Sequence, residues 1–309
     1  MSPGVGYALA AYLVWGLLPL FLRLLAPTPT PEILAHRIVW SGVTMLLVLL
    51  AMRRLAWIRP ALAEPRRLLR FVVTAALISV NWLLYIWSIQ AGHVVDASLG
   101  YFINPLVNVL LGALLLHERL RRGQKLSVAL AAFGVAWLTA LAGSPPWIGL
   151  AIAASFSLYG LLRKTAPLGA LEGFAVETAV LGPLAAGYLA WLWAHGTLAF
   201  AAAAPATRWL LVAAGPITTI PLLLFAAGAR RIPFSMLGVL QYLSPTLQWL
   251  VGIYAFHEAF DTHKAIGFGF IWVALVVYAG EGAWAGWLRG RSAAALRAGA
   301  DAGSERLRP

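Results

Sequence analysis

Few side chains in this sequence can make hydrogen bonds or move protons, and those that can recur at regular spacing. Residues 98–118 read SLGYFINPLVNVLLGALLLHE, apolar enough for a bilayer yet interrupted by Asn104, Pro105 and Asn108. Gly100, Asn104, Asn108 and Gly112 are spaced by four, which on a helix makes one stripe. Residues 238–258 read GVLQYLSPTLQWLVGIYAFHE and match that stretch without a gap. Pro105 falls on Pro245, Asn108 on Gln248 and Gly112 on Gly252, an offset of 140 residues. The partner stripe carries Ser244 and Gln248, with Gln241 a turn earlier. Carboxamides in hydrocarbon are costly unless they find partners or water. They either bond neighbouring helices together while the glycines allow close approach, or they line a cavity and bind a solute. Recurrence in both halves points to the cavity.

Further polar groups fit the same chemistry. Asn81, Tyr85 and Ser88 share one helical face with Trp82 beside them, and Trp15 lies within the first apolar run beside Gly16 and Pro19. Trp15, Asn81, Tyr85, Tyr101, Asn104, Asn108, Gln241, Ser244 and Gln248 are therefore the candidate solute contacts. Aromatic rings with a few carboxamides suit a moderately apolar or aromatic solute. The ionisable groups within the apolar runs are few. His36 and Arg37 lie about one turn into the second run, and at the 140 offset Arg37 corresponds to Glu177. Asp96 is the expected partner of Arg37, and Arg230 or Arg231 that of Glu177. These groups are candidate gates, with anchoring of helix ends at the interface as the competing role. Proton coupling through Glu177 or His36 stays open, as does facilitated diffusion, because no carboxylate is expected at mid-membrane. Glu118 and Glu258, at helix C-termini where the dipole disfavours an anion, are read as structural.

The elements that carry these residues follow from composition. Of 309 residues 61% are hydrophobic and 11% charged, with a mean hydropathy of +0.81. A water-soluble domain is about 45–50% apolar and about 25% charged, so the chain reads as an all-α polytopic membrane protein. The apolar runs are continuous, unlike the short alternating segments of a β-barrel. A bilayer core needs about 20 helical residues. On that basis ten transmembrane helices are expected near residues 4–25, 32–52, 71–90, 97–116, 126–143, 147–162, 172–195, 209–229, 235–256 and 265–284. The first run lacks a basic leader and reads as a retained helix. All Lys and Arg residues except Arg23, Arg37, Arg208 and Lys264 fall in alternate connections or the polar tail. The positive-inside rule then puts both termini in the cytoplasm. It also explains the net charge of +12 without nucleic acid.

Five helices per half is an odd number, so the second half enters the membrane from the opposite side. The expected organisation is two inverted five-helix repeats, 1–143 and 147–284, followed by a polar cytoplasmic tail, 285–309. Inverted repeats are typical of secondary transporters, with the solute site at the repeat interface. No catalytic residue is proposed, since HExxH, Walker A and GxSxG motifs are absent. The chain has no cysteine, and its two His-Glu pairs fall on opposite sides, so no metal or other cofactor is expected. The missing ATP-binding loop argues against a primary pump.

Several blocks carry a family resemblance: EILAHRIVW at 32–40, NWLLYIWS at 81–88, ASLGYFINPLVNVLLG at 97–112, ER at 118–119, YGLLRK at 159–164 and LGVLQYLSPTLQ at 237–248. Together they resemble the EamA-type repeats of the drug/metabolite transporter superfamily, and within it the RarD family. The resemblance implies a multi-pass permease of the bacterial inner (plasma) membrane, with superfamily relatives exporting amino acids or other metabolites. RarD proteins often carry a label linking them to chloramphenicol sensitivity, which does not define a solute. The expected partners are thus the lipid bilayer and a small organic solute: an amino acid, a metabolite or a chloramphenicol-like drug. The expected function is alternating-access transport, with a non-transporting membrane assembly or sensor component as the rival.

Overall fold

The computed structural model of the chain describes residues 3–53, 65–115, 120–142, 145–164, 168–229, 231–232 and 240–281, and all regular structure among them is helical. In order these are α1 (Pro3–Leu24), α2 (Thr30–Ala51), α3 (Pro65–Gln90), α4 (Val94–Leu115), α5 (Arg122–Ala142) and α6 (Trp147–Lys164). They continue with α7 (Ala170–Ala194), the four-residue α8 (Ala199–Ala202), α9 (Pro205–Ala229) and α10 (Leu243–Leu250), which runs into a π turn at Val251–Ala255. The last is α11 (Thr262–Glu281). Eight of these helices are long and apolar enough to cross a membrane; α6, α8 and α10 fall short of that mark. Large apolar side chains face outward, among them Leu184 (70% exposed), Trp209 (73%) and Val276 (72%). Such exposure is expected where lipid, not water, is the neighbour. Arg230, Glu118 and the tail 285–309 lie outside the described residues.

The largest departure from the expected elements is at 235–256. Among the described residues a turn at Gln241 and Tyr242 separates helical Leu240 from α10, and α10 ends in the π turn. Pro245 thereby falls in the first turn of α10, where its missing amide has no intrahelical partner to lose. Its counterpart Pro105 sits inside α4 and does remove a helical bond. The third helix begins at Pro65, earlier than its apolar run, because the basic start, Arg66 to Arg70, continues the helix beyond the apolar stretch.

The core forms between the two halves of the chain. α4 packs on α6 and α10, α1 on α9 and α10, α2 on α7 and α9, and α3 on α6 and α7. Helix α5 meets α11 through Phe133 and Phe270, through the Trp137 Nε1–H bond to the His263 carbonyl, and through Gly134, which faces the Gly267 carbonyl. Between apolar helices in lipid, close van der Waals packing supplies the association. At Gly100 a Cβ would stand 2.6 Å from the Gly149 carbonyl oxygen, so the α4–α6 approach requires glycine. Gly100→Val should cost about 1–3 kcal/mol by overpacking, read as a lower melting temperature in detergent. Gly6→Val, where a Cβ meets nothing within 4 Å, is the control. Equal melting of the two variants would contradict the packing assigned to Gly100.

Candidate functional site

A cavity of about 500 Å³ lies at the centre of this cross-half packing, within the ~300–1,000 Å³ usual for small-molecule sites. Its wall is mostly aromatic and aliphatic: Tyr12, Trp15, Trp82, Tyr85, Tyr101, Phe156, Phe174 and Phe225 with leucines. Tyr12, Trp15 and Phe225 meet edge-on or tilted, with centroids 5.7–6.0 Å apart. Tyr101 lies edge-on between Tyr85 and Phe156. One end of the cavity reaches Arg163, Leu168 and Leu171 around the α6–α7 connection, on the side of the basic connections.

Of the residues singled out in the sequence, Trp15, Asn81, Tyr85, Tyr101, Asn104, Gln241, Ser244 and Gln248 line this cavity. Asn108 does not, and is exposed. Two of the carboxamides have their orientation fixed by carbonyl oxygens, which only accept. Asn81 Nδ2 donates to the Ile152 carbonyl (3.0 Å) and Ser155 Oγ (2.9 Å), leaving Oδ1 without a donor among the described residues. Gln248 Nε2 donates to the Trp15 carbonyl (3.1 Å) and Ser244 Oγ (3.2 Å), again leaving its oxygen bare. Ser157 Oγ donates to Asn104 Oδ1 (2.5 Å) across the α4–α6 contact. The carboxamides thus join helices in the cavity wall, where the bare Asn81 and Gln248 oxygens are buried.

The charges are arranged differently from the sequence expectation. Arg37, expected near a mouth and paired with Asp96, instead lines the cavity and is only 4% exposed. Its Nε donates to Thr218 Oγ1 (2.7 Å), and its Cζ stands 4.4 Å from the Trp82 ring centroid. The correction is geometric: Arg37 faces α9 and α3, whereas Asp96 is 3.6 Å from Lys264 and 3.3 Å from His93 at the start of α4. Glu177 also has another partner than expected. It is 3.7 Å from Arg163 Nε and accepts hydrogen bonds from Thr74 Oγ1 (2.7 Å) and Tyr159 Oη (3.1 Å). This buried cluster ties α3, α6 and α7 at the basic-connection end. Arg231, just past α9, is exposed, and its Nη1 donates to the Ala227 carbonyl of that helix. His36 stacks on Phe200 (4.8 Å) and accepts the Trp40 Nε1–H bond at Nδ1, with Glu32 3.8 Å away.

At the opposite end, sequence reasoning missed a group of ties between elements. Glu258 accepts the free amides at the start of α4, Val94 N at 2.5 Å and Val95 N at 2.8 Å. Glu32 does the same for α8, from Ala199 N (3.0 Å) and Phe200 N (2.8 Å). A carboxylate at a helix N-terminus is favoured by both hydrogen bonding and the helix dipole. Thr30 Oγ1 bonds Gln90, whose Nε2 donates to the Thr28 carbonyl (2.9 Å). Burial lifts the Glu258 carboxyl above its ordinary value, opposed by the two amides; Asp96 raises it further and Lys264 lowers it. A second cleft of about 550 Å³, lined by His93, Asp96, Asp261, His263 and Lys264 among others, opens at this end. No grouping of His, Asp and Glu able to hold a metal occurs among the described residues.

Comparison with known proteins bears on this arrangement. Residues 2–140 match the EamA-like transporter family. The chain is 50% identical over 274 residues to "Protein RarD" of Streptomyces exfoliatus, covering 89% of this chain and 87% of that one. It is 46% identical over 279 residues to a protein described as an uncharacterized transporter in Pseudomonas aeruginosa, covering 89% and 92%. A protein of known crystal structure, 23% identical, superposes with a TM-score of 0.55 over 89% of this chain and 96% of its own; that likeness concerns the fold alone.

Proposed function

Because the chain belongs to the RarD family of EamA-like transporters, we propose that it is a secondary transporter that exports a small organic solute from the bacterial cytoplasm. It works by rocking two inverted five-helix repeats, 1–143 and 147–284, around the central cavity. The cavity carries this reading: it lies between the halves and is lined by aromatic rings and carboxamides. The helix contacts support the repeats. Exchanging α1 with α6, α2 with α7, α3 with α9 and α4 with α10 turns the α1–α9 contact into α6–α3. It likewise turns α1–α10 into α6–α4, and α2–α9 into α7–α3. A pseudo-two-fold relation has this property.

The protein resides in the inner membrane with the basic connections and both termini in the cytoplasm, as the distribution of Lys and Arg directs. In that orientation the cavity reaches toward the cytoplasm, and the Glu258, Glu32 and Lys264 contacts hold the outer end shut. No chemistry on the solute is involved. Reconstituted proteoliposomes offered amino acids and chloramphenicol should take up at least one in a saturable, protein-dependent way. Absence of flux across a broad panel, with a dry cavity, would favour a non-transporting membrane component.

A further inference from the structure

We propose that the transported solute bears a carboxylate and that Arg37 is the residue that binds it; the proposal rests on, and deepens, the transporter reading above. Arg37 is a buried cation on the cavity wall with no acidic partner among the described residues. Its Nε donates to Thr218 Oγ1, and the Thr218 hydroxyl directs its own proton to the Ala214 carbonyl (2.8 Å), so it meets Arg37 with a lone pair. The Trp82 ring, 4.4 Å from Cζ, covers one face of the guanidinium. With Nε engaged and that face occupied, the Nη end is what remains, and Nη1 has no acceptor among the described residues.

The two candidate gate carboxylates are committed elsewhere. Asp96 is held by Lys264 and His93, and Glu177 by Arg163, Thr74 and Tyr159. No Asp or Glu is among the described residues that line the cavity. A buried charge without a counter-charge is costly, and the planar fork of arginine matches a carboxylate with two parallel hydrogen bonds. A solute carboxylate supplies both the charge and the acceptors.

The remaining wall narrows the class. Tyr85, Tyr101 and Phe156 offer apolar faces, while Asn81 Oδ1 and Gln248 Oε1 are acceptors in search of a donor. A monocarboxylate with an aromatic or branched apolar body, carrying an N–H group, meets all three. A zwitterionic amino acid is the simplest member. A dianion would find one uncommitted cation among the described lining residues, and a neutral drug would leave Arg37 unpaired.

Trp15 and Trp82 in the wall make intrinsic fluorescence a direct readout. Two matched sets are titrated into the purified protein: L-phenylalanine, 3-phenylpropanoate and L-phenylalaninamide; and L-leucine, 4-methylpentanoate and L-leucinamide. The carboxylates of at least one set should give a saturable change, and the corresponding amide should bind at least about tenfold more weakly. Arg37→Gln should remove that preference, and Arg37→Lys, keeping the charge without the fork, should restore part of it. Gel filtration and melting report whether each variant folds. Should Arg37→Gln fail to fold, Thr218→Val, which releases Nε but keeps the cation, should still weaken carboxylate binding severalfold. Amides binding as tightly as carboxylates, or carboxylate binding unchanged in Arg37→Gln, would overturn the assignment. Flux of carboxylate-free solutes without any response to carboxylates would overturn it while leaving the transporter reading intact. No saturable response and no flux for any solute would overturn both.

Discussion

Glu177→Gln is expected to reduce solute flux at least about tenfold and to shift the balance between cytoplasm-facing and outward-facing states. Glu177 is 1% exposed, and its ion pair with Arg163, whose side chain is 13% exposed, is reinforced by Thr74 and Tyr159. Removing one partner of a buried pair typically costs about 3–5 kcal/mol. Only about 1.4 kcal/mol of that, if unequal between the two states, changes their ratio tenfold. The ring of Phe71 and the Gly169 carbonyl also contact Arg163. Gln keeps the shape but only one of the two acceptor oxygens, so it accepts from Thr74 or from Tyr159 while its NH2 donates at the other position. Flux in proteoliposomes, paired with side-specific labelling of a cavity cysteine, measures both effects. Normal flux together with an unchanged labelling ratio would remove Glu177 from the transport cycle.

Glu258 is expected to have the second-largest effect, at the other end. Its two oxygens take the amides of Val94 and Val95, and Gly252 brings the π turn close enough that a Cβ there would lie 2.8 Å from Val95 Cγ2. Glu258→Ala removes a cap that is worth about 1–2 kcal/mol by analogy with other N-terminal caps. The outer end should then open more often, and a cysteine introduced at buried Leu99, on the outer cleft, should label faster. Acidity should act in the opposite direction. Burial raises the Glu258 carboxyl in the closed form, whereas in an opened form facing water it returns to its ordinary value. The closed form therefore binds the proton more tightly. Lowering the pH through the interval between those two values should favour closure, and raising it should favour opening. Labelling at position 99 that is independent of pH in the parent chain would contradict this assignment.

Much of the membrane character was legible in the sequence, because continuous apolar runs and one-sided basic connections are one-dimensional signals. The carboxamide stripe was legible for a similar reason, since a spacing of four keeps side chains on nearly the same face. Its limit is equally physical. Each step of four turns about 40° beyond a full circle, so Asn108 drifts off the face that holds Asn104, and α4 also contains Pro105. The partners of the charges were not legible. Depth along a helix says how far a side chain lies from an interface, not which helix it faces. Arg37 accordingly meets Thr218 and Trp82 instead of Asp96, and Glu177 meets Arg163 instead of Arg231. Glu258 looks unfavourable at the end of its own helix, and only the tertiary structure brings it to the positive end of another.

The central claim is that the cavity between the halves is a pathway open alternately to the two sides of the membrane. The natural absence of cysteine allows a direct test with Leu222→Cys, on the α9 wall of the cavity, labelled by a membrane-impermeant maleimide in inside-out and right-side-out vesicles. Alternating access predicts ready labelling from the basic-connection side, slower labelling from the other, and a change in that ratio when a transported solute is added. A cysteine at position 222 that labels from neither side, with or without solute, would mean a dry and closed centre, and would contradict the transport reading.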